Sequence, residues 1–334
     1  MNQIASSENA STDAATIEGR AGSASFILTS HEFEHSGANL KLLRPALRAG
    51  DEVIVLTASE PVRPPEASWF RVVSIPGASD FTLRSHIPAV CRNEWVVLLE
   101  DHALVNKRTL DAILEVIRNK PKADLVVFLG KNLTSVSRWG WAIFLHVFAL
   151  VWAPLQGPPP FSPVTSAVVR RSKLRSDARL AQGAWELQII PRIFNSGKIE
   201  HSNDIFINHV KPMSLGSALR LGYHNARAGA ALQRDLAIPA RNVLYEGWYA
   251  FAPRPRLIAK ALRERMDELP AGTIWRLHVV GFTHLVGNFV GCYLGGGRSA
   301  EIASGSDLHG RLSARIGIRV SGYSAPRQAP ADPW

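Results

Sequence analysis

The tripeptide Glu100-Asp101-His102 follows directly on the apolar run Trp95-Val96-Val97-Leu98-Leu99. A run of this kind, without polar alternation, reads as a strand buried on both faces of a parallel sheet. In open α/β sheets ligands bind beyond the carboxyl ends of the strands. Two carboxylates and an imidazole leaving a buried strand together can hold a divalent cation, with hard oxygen ligands suited to Mn2+ or Mg2+. Such a cation would bridge and neutralise a diphosphate. The same residues admit a plainer reading, in which Asp101 caps the following helix and Glu100 is solvated.

The elements that would carry this tripeptide are legible around it. Ser25–Ser30, Glu52–Thr57, Phe70–Ile75, Trp95–Leu99 and Asp124–Leu129 are apolar, β-branched runs with strand character. Leu40, Leu43 and Leu47 recur at helical spacing, interrupted by Pro45, and Leu110, Ile113, Leu114 and Ile117 mark one face of a second helix. Alternation of strand and helix predicts a doubly wound, Rossmann-like α/β architecture. The segment from Trp139 to Trp152 is apolar almost all round, falls short of the roughly 20 residues that span a bilayer, and predicts a buried or interfacial helix, with a membrane-dipping helix and, last, a true span as the alternatives. Val164–Val169 and Ile205–Val210 read as further strands, and a helix from Trp185 to Phe194 stops at Gly197.

From Ser214 the chain turns helical and basic. Arg220, Arg227 and Arg234 lie seven residues apart and project from one helical face, which is either a cationic surface or simply a solvated one. Ile274–Leu294 mixes Trp, Phe, Val and Gly around a single fixed charge, Arg276, and suggests amphipathic attachment to a membrane surface.

With 334 residues the chain can bury a large core. Its formal charge of +10 points to an anionic partner: nucleic acid, an anionic membrane, or phosphate-bearing substrates. No helix-turn-helix, zinc-finger or RNA-recognition signature accompanies the charge, so nucleic acid is not the expected partner. The two cysteines, Cys91 and Cys292, have no metal-ligand spacing and imply no disulfide framework, which fits a reducing cytoplasmic setting. Residues 1–24 lack the basic start and apolar run of a secretory leader and read as a disordered tail, as do residues 299–334.

Several segments in order resemble the family 2 glycosyltransferases of the GT-A fold. Leu83-Arg84-Ser85 stands where that family carries an Ala-Arg-Asn-like segment, about one helix ahead of its metal-binding Asp-X-Asp strand, here Leu98-Leu99-Glu100-Asp101-His102. Val164–Arg171 is similar to the acceptor-side strand. Gly183-Ala184-Trp185-Glu186-Leu187 is similar to the Glu-Asp motif whose carboxylate acts as base, and Asn195–Ile199 through His209 to a segment ending in a His that helps hold metal or diphosphate. The resemblance implies a GT-A domain over 25–212 with a mixed central sheet, followed by a helical, membrane-associating region over 213–298. It implies an inverting transferase that takes a nucleoside-diphosphate sugar as donor and a lipid-linked or polysaccharide acceptor, at the inner face of the cell membrane. Glu100, Asp101, His102 and His209 would hold the cation, Arg84 the diphosphate, and Glu186 would be the base. Ser30 and Glu60 would contact the nucleotide.

The departures from the family pattern are specific. Leu28-Thr29-Ser30-His31 replaces a Pro-Thr-Tyr-Asn-like opening, Glu60 stands one turn late for the usual Asp after the second strand, and Glu-Asp-His replaces Asp-X-Asp. They raise the alternative of a GT-A-fold binding or scaffolding protein that has lost turnover. Residue by residue the bland readings also stand: Glu186 as a carboxylate at a helix N-terminus, His209 as a hydrogen-bonded strand-end histidine, Arg84 in a surface ion pair.

Overall fold

The computed structural model describes residues 22–60, 68–78, 80–132, 137–148, 167–174, 189, 193, 197–209, 213–263 and 271–304. Residues 1–21 and 305–334 of the expected tails, the Val164-Thr165-Ser166 start of one expected strand, most of the helix expected from Trp185 to Phe194, and Glu186 itself lie outside the described residues.

Eight strands form one sheet: β1 (Ala24–Ser30), β2 (Glu52–Thr57), β3 (Phe70–Ser74), β4 (Trp95–Glu100), β5 (Ala103–Leu104), β6 (Leu125–Asn132), β7 (Ala167–Arg170) and β8 (Ile199–His209). Their spatial order is β3-β2-β1-β4-β7-β6-β8-β5. The pairs β1–β2, β2–β3, β1–β4 and β6–β8 are parallel, whereas β4–β7, β6–β7 and β5–β8 are antiparallel. The α/β alternation is as the sequence pattern predicts, and the mixed sheet is as the family resemblance implies, with one strand, β5, too short for any pattern to reveal. Ile199, six residues ahead of the expected start at Ile205, already pairs with Leu125.

The unbroken apolar runs are explained by burial on two faces. Phe26, Leu28, Val53, Val55, Val97 and Leu99 point to one layer, where α1 (Gly37–Leu43) and α4 (Lys107–Asn119) cover them with Leu40, Leu43, Leu110, Ile113 and Leu114. Ile27, Ile54, Leu56, Val96 and Leu98 point to the other. There they meet Leu83 of α2 (Asp80–Ser85), Ile87 of α3 (Ile87–Val90), and Phe144 and Leu145 of α5 (Arg138–Phe148). Each such fully buried side chain is worth about 1.5–3 kcal/mol. Ala142 and Ile143 bury their other side against Met213, Leu221 and Val280, so the described part of the apolar 139–152 segment is a core helix.

After the sheet the described residues form a helical layer: α6 (Leu215–Asp235), α7 (Ala240–Phe251), α8 (Pro253–Arg263), α9 (Thr273–Leu294) and α10 (Ser299–Ser304). Ile258 and Leu277 from this layer join the same core as β1 and β4. The 22-residue α9 is long and apolar enough to cross a membrane, yet it is two-faced. One stripe, Arg276, Leu277, Val280, Gly281, Gly287, Asn288 and Gly291, is buried. A Cβ at Gly291 would lie 2.2 Å from the Arg227 carbonyl oxygen, and one at Gly287 2.4 Å from that of Tyr223, so α6 and α9 meet backbone to backbone. The opposite stripe, Trp275, Phe282, Phe289 and Tyr293, is exposed, beside exposed Tyr245 and Trp248 of α7.

Two expectations are sharpened here. In the Arg220, Arg227 and Arg234 stripe, Arg227 is half-buried and donates from Nε to Gly295 O (2.9 Å), closing the C-terminus of α9, while exposed Arg234 pairs with Asp235 (3.0 Å) and Arg220 is exposed. The fold also runs past 298, since α10 buries Ala303 and Ser299, whose hydroxyl meets His224 Nδ1 at 3.0 Å. Both cysteines are free and buried.

Candidate active site

The register of β1 against β4 places Thr29 opposite Glu100, so Ser30 and Asp101 emerge side by side at the carboxyl edge of the sheet. The chain runs outward from β1 through β2 to β3 and then returns to the other flank of β1 as β4, which makes this edge a topological switch point. Asp101 N–H continues the ladder to Thr29 O at 3.2 Å. Asn39, buried on α1, donates to the carbonyls of Glu100 (3.0 Å) and Asp101 (3.3 Å) and fixes the turn. In the sequence this role shows only as a polar residue set beside Leu40 and Leu43.

The side chains then interlock. Asp101 Oδ2 accepts from Ser30 Oγ at 3.0 Å, and its Oδ1 lies 2.9 Å from His102 Nδ1. His102 Nε2 lies 2.7 Å from Glu100 Oε2, and Glu100 Oε1 pairs with the guanidinium of Arg84, which the last turn of α2 delivers from beneath. Asp101 does not cap the next helix. That cap is Asn106, whose side chain accepts from Thr109 N–H at 2.8 Å.

His209 arrives from the far end of the sheet. β5 pairs Ala103 with His209, which sets the His102 and His209 rings edge to face at 4.6 Å, with Phe144 behind at 6.0 Å. One ligand atom from each of Glu100, His102 and His209 lies within 4.8 Å of the others. The donor set fits a cation on chemical grounds. Both nitrogens of His102 lie beside carboxylate oxygens, and its buried Nε2 makes no hydrogen bond, as suits an atom placed to meet a positive ion. An Asp101–His102 contact on Nδ1 is the arrangement that orients Nε2 toward a metal. Two imidazoles with one carboxylate suit a borderline ion such as Mn2+ better than Mg2+, which prefers oxygen throughout.

Of the residues singled out in the sequence, Ser30, Arg84, Glu100, Asp101, His102 and His209 are thus brought together. Within that group Asp101 serves Ser30 and His102, and it is not one of the three converging ligand atoms. Glu60 is exposed just beyond β2 and makes none of these contacts, and Glu186 lies outside the described residues.

No family model matches the chain, and neither does any curated protein. Among solved structures it is similar to the mannosyltransferase PcManGT from Pyrobaculum calidifontis in complex with GDP-Man and Mn2+, at 15% identity over 80% of this chain and 86% of that one, with a TM-score of 0.50. TarS 1–349 of S. aureus (12% identity, 89% and 88% coverage, TM-score 0.43) and the glucosyl-3-phosphoglycerate synthase of Mycobacterium tuberculosis (17%, 65% and 80%, 0.42) are weaker likenesses that carry no argument. The first likeness establishes the fold. The chain is built on the GT-A architecture, a mixed Rossmann-like sheet with the acidic turn at its switch point.

Proposed function

We propose that the protein is a glycosyltransferase that moves a sugar from a nucleoside-diphosphate donor to a lipid-linked or polysaccharide acceptor at a membrane surface. The observation that carries this reading is the convergence of Glu100, His102, His209 and Arg84 at the switch point of a GT-A sheet. A divalent cation, Mn2+ by preference, would supply charge to stabilise the departing diphosphate. Glu100, His102 and His209 would hold it, with Asp101 orienting His102. Arg84 would turn from Glu100 toward the diphosphate and neutralise charge developing there. Glu186 is assigned as the base: it takes the acceptor hydroxyl proton as the oxygen attacks the anomeric carbon and the bond to the diphosphate breaks, with inversion. Exposed Trp248, Trp275, Tyr245 and Tyr293, with exposed Arg241 and Arg256 nearby in the chain, suit a bilayer interface, where amphipathic rings and cations settle at the headgroups.

One observation favours a second reading, a GT-A-fold binding or scaffolding protein without turnover. The acidic turn is already self-satisfied, Glu100 by Arg84 and His102 and Asp101 by Ser30 and His102.

The test is nucleotide-sugar hydrolysis and transfer with Mn2+ or Mg2+, preceded by thermal melts with UDP-, GDP- and dTDP-sugars to name the donor. A transferase shows metal-dependent turnover that falls by about 10²–10⁴ in Glu186→Gln. Unmodified protein that neither binds a nucleotide sugar nor turns one over is the scaffold.

A further inference from the structure

Outside the acidic turn, two histidines meet where α5 packs on the helical layer, and a buried arginine lies within electrostatic reach of both. His146 of α5 and His284 of α9 meet through Nε2 and Nδ1 at 3.3 Å, with ring centroids 5.1 Å apart. Arg254, in the first turn of α8, acts on both through its charge. It is 7% exposed, and its Nε and Nη2 make no hydrogen bond. Among the described residues no carboxylate pairs with it. Burial pulls the guanidinium down only to about 10, so it stays charged at neutral pH.

A buried cation with no counter-charge is costly, and its open donors make the cost greater. The two open atoms are not scattered. Nε and Nη2 form one edge of the guanidinium and present parallel N–H donors, which match two oxygens of a single oxyanion. Pro253 and Pro255 flank Arg254 and fix the backbone that aims it. The N-terminal end of the 11-residue α8 adds positive potential at the same place.

We infer that Arg254, with His146 and His284, forms a binding site for a phosphoryl group. The chemistry favours phosphate over a singly charged ligand. Burial first, and the Arg254 charge second, hold both imidazoles below their ordinary range, so they are neutral at pH 7. An arriving dianion reverses the second influence and allows the pair to take up one proton. Guanidinium and imidazolium together then balance two negative charges. The site does not depend on the transferase reading. Its ligand comes either from solution, as phosphate or pyrophosphate, or from a lipid, as a phosphomonoester headgroup.

The experiment uses the full chain in a chloride buffer free of phosphate and sulfate. Sodium phosphate, sodium pyrophosphate, and phosphatidylcholine vesicles with and without phosphatidic acid are titrated separately. The melting temperature and the histidine ring NMR signals are followed, the latter assigned with His146→Asn and His284→Asn. The expected result is saturable stabilisation by at least one source, with the ring signals of His146 and His284 moving toward the protonated form. Arg254→Met should weaken that response at least about tenfold. In phosphate-free buffer it should be no less stable than the parent, because an unpaired buried charge has been removed. His284→Asn keeps the guanidinium and should weaken binding to a smaller extent. Response to inorganic anions alone assigns a soluble ligand, and response only to phosphatidic acid assigns a lipid. No saturable response to any of the three probes overturns the proposal, as does equal binding by Arg254→Met, or equal binding by His284→Asn if Arg254→Met does not fold.

Discussion

Glu100→Gln preserves the shape of the side chain and removes its charge, and the structure sets the size of the effect. The side chains of Arg84 and Glu100 are 7% and 14% exposed, so the solvent screening that reduces surface pairs to about 0–1 kcal/mol is largely missing. Removing one partner of a buried pair costs about 3–5 kcal/mol, chiefly because the other charge is left behind. The new amide oxygen can still accept from Arg84, which returns about 1 kcal/mol. A net loss of about 2–4 kcal/mol remains, read by urea denaturation at pH 7. Arg84→Met in the same chain removes the stranded charge, and the double variant should recover most of the loss. Mn2+ affinity of the single variant, followed by electron paramagnetic resonance, should fall by at least about tenfold. A single variant within about 0.5 kcal/mol of the parent, or a double variant no better than the single, refutes the enclosed-pair argument.

Other expectations are as specific. Gly291→Ala gains about 1 kcal/mol of helix propensity but drives its methyl against the Arg227 carbonyl at 2.2 Å, so it should destabilise by about 1–3 kcal/mol; Gly216→Ala, with open space around it, should stabilise slightly, and chemical denaturation distinguishes the signs. His284 is held down to about 4, so the unfolded chain binds more protons than the folded one between about pH 4 and 6.5 and stability must fall as pH falls through that window. The contribution is about 2 kcal/mol between pH 7 and 5, visible as a shallower pH dependence in His284→Asn. Trp248→Ser with Phe289→Ser should weaken binding to anionic vesicles by at least about tenfold without changing the far-ultraviolet spectrum, and unchanged sedimentation with vesicles removes the aromatic face from the proposal.

The parts of the fold that the sequence made visible are those whose environment is uniform. β1, β2 and β4 are buried on both faces, so every position is apolar and the run announces itself. Leu110, Ile113, Leu114 and Ile117 fixed α4 for the same reason, one face against one layer. What escaped was non-local. β5 has two residues and exists because β8 lies beside it, so nothing near Ala103 foretold that His102 would face His209. Arg84, Ser30 and His209 were singled out by family resemblance, whereas their mutual distances depend on strand order. The cluster of His146, Arg254 and His284 draws on three helices and has no linear signature. α9 was legible as amphipathic but not in which side is buried: small residues pack one side and aromatics face outward on the other.

The pairing of β5 with the end of β8, which β6 holds from its other side, sets the acidic turn between two backbone-anchored flanks. Glu100 and Asp101 are anchored by β1 and by Asn39; His209 is the last residue of its strand, and Met213, soon after it, packs on α5 beside Leu221 of α6. Phe144 of α5 packs on the His209 ring at 6.0 Å, so α5 bears on the helical layer with one side and on a candidate cation ligand with the other.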